Sequence, residues 1–336
     1  MEELALARWA LLFFILGAGV LVFAGSALAR GADEIATRTG WGGLFVGALL
    51  VAFATSLPEI VTGIGAVSVG APDLAVGSIV GSSMTNMALL AILDLAHTRQ
   101  LLVRVAFEHA RVAAVAIGLT ALAVLGMATP RGVAIGWIGL DTVLIAVAYV
   151  VALAWIRRSP QLPSAIPVPI GAGPASAEPR DIRSAVRRAV LAALAILAAG
   201  PFVALAAKEI AAGSGLGETF VGVAFLAVAT SLPELTVSLA ALRIGAYDLA
   251  VGNIFGSNAL NMAVLVIADL AYSEGPILHG APASQLVAGA AAIGLMALAL
   301  AALMQREETR IARLEPDAIV ILAAYAGALL AVWGSR

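Results

Sequence analysis

Cysteine is missing altogether from the 336 residues, histidine occurs three times, and charged residues make up only 12% of the chain. The first absence excludes disulfides, thiolate metal sites and cysteine nucleophiles. The scarcity of charge, about half of what a soluble domain carries, excludes an ordinary cytosolic enzyme. Nucleic-acid binding is excluded too, since it needs a basic excess, and here 19 Lys and Arg face 21 Asp and Glu for a net charge of −2. Apolar residues, by contrast, reach 62%, with a mean hydropathy of +1.03. That balance belongs to a polytopic membrane protein.

A bilayer helix needs about 20 largely apolar residues. The charged and turn-rich breaks predict ten of them, an all-α architecture, at 9–29, 41–69, 73–96, 109–128, 134–156, 188–207, 217–243, 248–271, 282–304 and 317–334. Two spans, 41–69 and 217–243, exceed one crossing and contain Pro58 and Pro233. Both are expected to be kinked or broken. Cytoplasmic loops collect Lys and Arg, and Arg157, Arg158, Arg180, Arg183, Arg187 and Arg188 cluster around the middle of the chain. Placing that cluster inside puts 15 of the 19 basic residues inside and both termini outside. Six of the 14 prolines lie between 160 and 179, so 157–187 reads as an extended cytoplasmic linker between two halves, 1–156 and 188–336. Ala27-Leu28-Ala29 resembles a signal-peptide cleavage site, but Glu2 and Glu3 stand where a signal carries basic residues. Retention of the first span is therefore expected.

The halves repeat each other. Shifted by 175 residues, 32–96 aligns with 207–271 without a gap, and 35 of those 65 positions are identical. The densest run pairs Ala54-Thr55-Ser56-Leu57-Pro58-Glu59 with Ala229-Thr230-Ser231-Leu232-Pro233-Glu234. Further on, Gly81-Ser82 and Asn86 pair with Gly256-Ser257 and Asn261. Five spans per half is an odd number, so the second half is expected to lie upside-down relative to the first. That is the inverted repeat of many secondary transporters, whose sites lie near the midplane.

Glu59 and Glu234 fall mid-span, where a carboxylate is costly enough to imply function. Apart from Arg243 at the very end of its span, no Lys or Arg lies inside the same spans to neutralise them. The proline before each frees backbone carbonyls one turn earlier, and Thr55 and Thr230 are expected to supply them. Ser56 and Ser231 project hydroxyls onto the same helix face. In the next span of each half, Ser82 with Asn86 and Ser257 with Asn261 share a face at four-residue spacing and read as ligands or near-ligands. Gly77, Gly81, Gly252 and Gly256 read as packing positions that let another backbone approach. An all-oxygen set suits hard cations such as Ca²⁺ and Na⁺.

The remaining polar residues carry less. Asp73, Asp248, Asp141 and Asp317 begin helices and read as N-caps. Asp94 and Asp269, at the far ends of their spans, fit caps, gates or vestibule charges equally. His97, His109 and His279 share no metal-ligand spacing, and the methionines read as core filling.

The paired Ala-Thr-Ser-Leu-Pro-Glu and Gly-Ser-x-x-x-Asn segments resemble the two α-repeats of the calcium/cation antiporter superfamily, closest to its prokaryotic sodium/calcium exchangers. The resemblance implies a ten-helix exchanger that exports Ca²⁺ against Na⁺ by alternating access, in a prokaryotic cell membrane. It implies Glu59 and Glu234 as central Ca²⁺ ligands, completed by the carbonyls of Thr55 and Thr230, with Asn86 and Asn261 lining the centre. It also implies flanking Na⁺ sites from Ser56, Ser82, Ser231, Ser257 and the carbonyls of Ala52 and Ala227. Beyond the transported Ca²⁺ and Na⁺ (or H⁺) and membrane lipid, no cofactor, nucleic acid or required protein partner is expected.

Two departures matter. Asn261 stands where the best-studied pattern of that family has Asp, and Ser83 stands where Gly-Ser-Asn is common. With two acids the centre carries −2, matched by one Ca²⁺, two Na⁺ or two protons. That predicts a coupling ratio below three Na⁺ per Ca²⁺, or partial use of protons. Proton-coupled relatives usually replace the Thr-Ser-x-Pro run, so its retention favours Na⁺. A proton-driven Ca²⁺ or Mn²⁺ exchanger is the alternative. A channel would draw its filter from a ring of subunits, and an intramembrane hydrolase would need a base beside its serine. Neither fits a site duplicated within one chain.

Overall fold

Proline and glycine punctuate the helices around the duplicated motifs, and the computed structural model shows how. It describes residues 2–39, 52–96, 101, 108–129, 132–158, 182–243, 245, 247–305 and 316–335. The first part of the second expected span (41–51), His97 and most of the expected linker (159–181) lie outside the described residues.

The described chain is almost entirely helical: α1 (Glu2–Thr39), α2 (Leu57–Ser68), α3 (Pro72–Ala96), α4 (Glu108–Met127), α5 (Leu140–Arg158), α6 (Ile182–Ser214), α7 (Glu218–Arg243), α8 (Tyr247–Ala271), α9 (Ala283–Met304) and α10 (Pro316–Gly334). Eight of these are long and apolar enough to cross a membrane, α2 and α5 being the shorter apolar ones. α3 forms the centre, packed against α2, α7, α8, α9 and α10. α1 and α6 lie along each other at the periphery, and Phe23 (79% exposed) and Phe202 (72%) point outward from them. Large apolar side chains left outside on this scale are what a lipid-facing layer presents.

The two prolines act differently. Before Pro58 the helix breaks. Ser56 N donates to Ala52 O (3.0 Å) and Ile60 N to Ser56 O (3.1 Å), and in between the carbonyls of Phe53, Ala54 and Thr55 receive no helical N–H. Proline directly accounts for Ala54, four residues back, and the break extends the effect to Thr55. α2 then starts with proline in its first turn, where the missing N–H is harmless. It ends in a Schellman turn: Ala71 N donates to Ala66 O (2.9 Å) and Gly70 N to Val67 O (3.0 Å), with Gly70 at φ +70°. In the second repeat the expected break is absent, so Pro233 frees Ala229 O and leaves Thr230 O within a continuous helix, against the expectation that Thr230 supplies a freed carbonyl. Helix runs through Pro233 from Ala227 to Arg243, and the irregularity sits earlier, as a π-turn over Gly222–Leu226. π-turns frequently mark functional positions.

Other boundaries also depart from the hydropathy pattern. The fifth span does not begin at 134: Ala134–Ile135 pairs with Ile138–Gly139 in a small hairpin turning at Gly136 (φ +68°), and α5 starts at Leu140. Apolar residues alone cannot tell a hairpin from a helix end. α6 begins at Ile182 rather than 188, so the arginines at 183, 187 and 188, good helix formers, extend it.

Two of the four glycine positions admit backbone, whereas a Cβ at Gly252 would meet the His109 ring (2.9 Å) and one at Gly256 only the Ala52 Cβ (3.9 Å). A Cβ added at Gly77 would lie 2.7 Å from Thr219 O, and one at Gly81 2.5 Å from Val223 Cα, both on α7. The obstruction is main chain and cannot rotate away. Gly81→Ala is therefore expected to force α3 and α7 apart and destabilise the fold by about 1–3 kcal/mol, read as a lower thermal unfolding midpoint in detergent. An unchanged midpoint would contradict the close approach.

Candidate ion-binding site

The break at Ser56 and the continuous helix through Ser231 bring the two acidic motifs together in the interior. Glu59 is 2% exposed and Glu234 fully buried. The motifs reach across to each other reciprocally: Ser56 Oγ donates to Glu234 Oε1 and Ser231 Oγ to Glu59 Oε1, each at 3.5 Å. Ser257 Oγ also donates to Glu234 Oε1 (3.4 Å). Ser82 Oγ meets Thr230 Oγ1 at 3.4 Å, joining α3 to the second motif. Oε2 of each glutamate is buried with no hydrogen-bond partner. None of the ion pairs among the described residues involves either glutamate.

The threonines turn their hydroxyls back onto the helix. Thr55 Oγ1 donates to Ala52 O (3.0 Å), while Thr230 Oγ1 contacts Leu226 O (3.1 Å) and Ala227 O (3.3 Å). The Ala52 and Ala227 carbonyls thus lie beside the motif in both repeats. The carbonyls of the glutamates are supported by different devices. Thr62 Oγ1 donates to Pro58 O (2.7 Å) and Glu59 O (3.3 Å) within α2, whereas Asn253 Nδ2 reaches Glu234 O (3.4 Å) from α8.

Asn86 and Asn261 face each other's helices through two residues that sequence reasoning did not single out. Asn86 Nδ2 donates to Asn258 Oδ1 (2.8 Å), Asn258 Nδ2 to Ser83 O (3.3 Å), and Asn261 Nδ2 to Ser83 Oγ (3.1 Å). In the sequence Ser83 stands out only as a departure from a motif. Its counterpart Asn258 went unremarked because comparing the repeats rewards identity, and 83/258 is a mismatch. Asn86 Oδ1, like the two Oε2 atoms, is buried without a partner.

The peripheral acids hold loops and neighbouring helices. Asp94 Oδ1 accepts Leu101 N (2.7 Å). Asp269, fully buried, accepts Ile277 N (2.7 Å), Gly139 N (3.0 Å) and the Thr142 hydroxyl. For both, anchoring is the role the geometry supports. Asp73 and Asp248 stand second in α3 and α8, inside the first turn rather than at the expected N-cap, and their side chains contact the other half. Gln285 Nε2 donates to Asp73 Oδ1 (2.8 Å), and His109 Nε2 lies 3.1 Å from Asp248 Oδ1. Asp141 Oδ1 accepts the Thr142 N–H (2.8 Å), and its Oδ2 lies 3.2 Å from His279 Nε2. Asp317 occupies the first turn of α10. Two of the three histidines thus pair with carboxylates, and no cluster of three or more His, Asp or Glu capable of holding a metal occurs among the described residues. Met84, Met87, Met262 and Met296 are fully buried, as core filling requires, whereas Met304 is exposed.

Two carboxylates, four hydroxyls and carboxamide oxygens with no cationic side chain form a set able to bind hard cations. The family model for the sodium/calcium exchanger protein matches residues 9–156 and 186–334, covering both halves. The chain belongs to this family. Inner membrane protein YrbG of Escherichia coli (strain K12) is 30% identical over 265 residues, covering 76% of this chain and 75% of that protein. Among solved structures, the sodium-calcium exchanger NCX_Mj superposes with a TM-score of 0.60 at 23% identity, over 96% of this chain and 99% of that one. The H⁺/Ca²⁺ exchanger CAX superposes with a TM-score of 0.73 at 14% identity, over 99% and 90%. At those identities the likeness speaks to fold: this chain has the architecture of membrane exchangers.

Proposed function

We propose that this exchanger exports Ca²⁺ in return for Na⁺ by alternating access, with both ions bound between the repeats near the bilayer midplane. The observation that carries the reading is the pair of buried glutamates, each held by a serine of the opposite repeat and each with one oxygen lacking a partner. Such groups are unfavourable in an apolar body unless cations or protons neutralise them. Glu59 and Glu234 are the central ligands. The carbonyls of Thr55 and Thr230 complete the Ca²⁺ site, with Asn86 and Asn261 at the centre. Ser56, Ser82, Ser231, Ser257 and the carbonyls of Ala52 and Ala227 supply the flanking Na⁺ sites. The reciprocal serine contacts support this division, because each repeat contributes to the other's acid.

The architecture that goes with it is ten spans in two inverted halves, 1–156 and 188–336, joined by a cytoplasmic linker at 157–187 whose last residues already belong to α6, with both termini outside. The distribution of arginine supports that orientation. A relay between repeats suits alternating access, since either side can open by moving one half against the other.

Charge sets the coupling. Two glutamates carry −2, and Asn261 adds nothing, so two Na⁺ or one Ca²⁺ neutralise the centre. The cycle is then electroneutral at two Na⁺ per Ca²⁺. The missing third acid equally accommodates two protons, which keeps proton-coupled exchange of Ca²⁺ or Mn²⁺ as the second reading. Vesicle flux separates them. Ca²⁺ uptake should follow an imposed Na⁺ gradient with pH clamped on both sides, and should not follow a pH gradient in the absence of Na⁺. The reverse pattern would establish proton coupling, and uptake driven by neither would sink both.

A further inference from the structure

Directly after the duplicated Gly-Ser pair the two halves differ: Ser83 stands where the second half has Asn258. Both are fully buried, and the carboxamide hydrogen bonds that stitch α3 to α8 pass through them. From this geometry we propose that Asn258 is a positioning residue for ion binding, turning Asn86 so that its carbonyl oxygen Oδ1 faces the ion. The proposal rests on the reading of Glu59 and Glu234 as the centre of that site.

The orientation follows from an atom that can only accept. The backbone carbonyl of Ser83 takes its bond from an amide N–H, so the Asn258 group 3.3 Å from it is Nδ2. That turns Asn258 Oδ1 toward Asn86. An amide oxygen also only accepts, so the Asn86 group meeting it at 2.8 Å is Nδ2. Asn86 Oδ1 is left over, buried without a partner, as are Oε2 of Glu59 and of Glu234. Leaving such an oxygen unmatched is unfavourable, and a hard cation is a partner that satisfies it.

Its placement fits. Asn86 lies four residues beyond Ser82 on one face of α3, and Ser82 Oγ meets Thr230 Oγ1 of the second motif at 3.4 Å. Without Asn258 the Asn86 amide could reverse and present N–H to a cation, which repels it. With serine at 83 the bridge has a single polarity, because position 83 brings no second carboxamide to compete for Asn86.

The test is a double-mutant cycle on the full chain reconstituted in vesicles, measuring Ca²⁺ KM and maximal rate at saturating counter-ion. Asn258→Ser places the first repeat's residue at this position, too short to bridge. Asn258→Ser and Asn86→Ala are each expected to raise the Ca²⁺ KM by about tenfold, the loss of one oriented contact. Asn86→Ala/Asn258→Ser should show the same tenfold and no more, because Asn258 acts only through Asn86. Effects that multiply to about a hundredfold, or a wild-type KM in Asn258→Ser, overturn the proposal. If Asn258→Ser does not fold, Asn258→Leu, close in volume, replaces it in the same cycle with the same two outcomes. Glu59→Gln is measured beside them: normal Ca²⁺ transport there refutes the site itself, whereas a multiplying cycle with Glu59→Gln inactive refutes only the positioning role.

Discussion

Glu59→Gln and Glu234→Gln are each expected to abolish Ca²⁺ transport in a protein that remains folded. Gln keeps the shape and can still accept from Ser231 or Ser56, so the reciprocal contacts at 3.5 Å survive. What is lost is one negative charge from a site that has two. A bound Ca²⁺ would then leave a net positive charge in surroundings where both acids are 2% exposed or less. An uncompensated buried charge costs several kcal/mol, which is about a thousandfold or more in affinity. The effect should be nearly equal at the two positions, since the motifs are duplicated and each faces the other. Flux assays on both variants, with thermal unfolding to confirm that they fold, decide the matter. Normal transport by either one would falsify the central-site model, and losses of unequal size at the two positions would show that the two acids are not equivalent ligands.

That symmetry is the part of the protein most legible in its residues. Self-comparison at an offset of 175 exposes Thr-Ser-Leu-Pro-Glu twice, and the structure does bring both copies into contact. Composition and hydropathy likewise foretell an almost wholly helical chain. Where the reading stopped short, the physical causes differ. The hairpin at 134–139 escaped because Ala134, Ile135 and Trp137 are as apolar as a membrane span, and only Gly136 hints at a turn. The π-turn at Gly222–Leu226 has no signature separate from helix. Ser83 and Asn258 are hidden because a repeat is recognised by identity, while the proposed role of this pair lies in being different.

Pairings between halves were also hidden, since His109 and Asp248 lie 139 residues apart in the chain. Yet the repeat explains this pair once it is seen. Shifted by 176, the offset at which Asp141 and Tyr149 recur as Asp317 and Tyr325, His109 falls on Gln285. Gln285 contacts Asp73, the counterpart of Asp248. One contact is therefore built twice, with imidazole in one half and carboxamide in the other.

Asn261→Asp is expected to change what couples to Ca²⁺ without dismantling the site. Asn261 Nδ2 now donates to Ser83 Oγ at 3.1 Å. A serine hydroxyl can reverse and donate to a carboxylate instead, so the link between α8 and α3 is retained. The centre then holds −3, which a third Na⁺ matches, while Ca²⁺ alone no longer does. Exchange of three Na⁺ for one Ca²⁺ moves one net charge per cycle, where two Na⁺ for one Ca²⁺ moves none. A potential of 100 mV does about 2.3 kcal/mol of work on one charge, enough to shift the Ca²⁺ gradient at equilibrium by about fiftyfold. With potentials clamped by a potassium ionophore, the native protein should show a Ca²⁺ gradient independent of voltage, and the variant one that steepens with it. Voltage dependence already present in the native protein would refute a two-acid balance. An unchanged, voltage-independent gradient in Asn261→Asp would mean that position 261 does not contribute to the charge that the ions must neutralise.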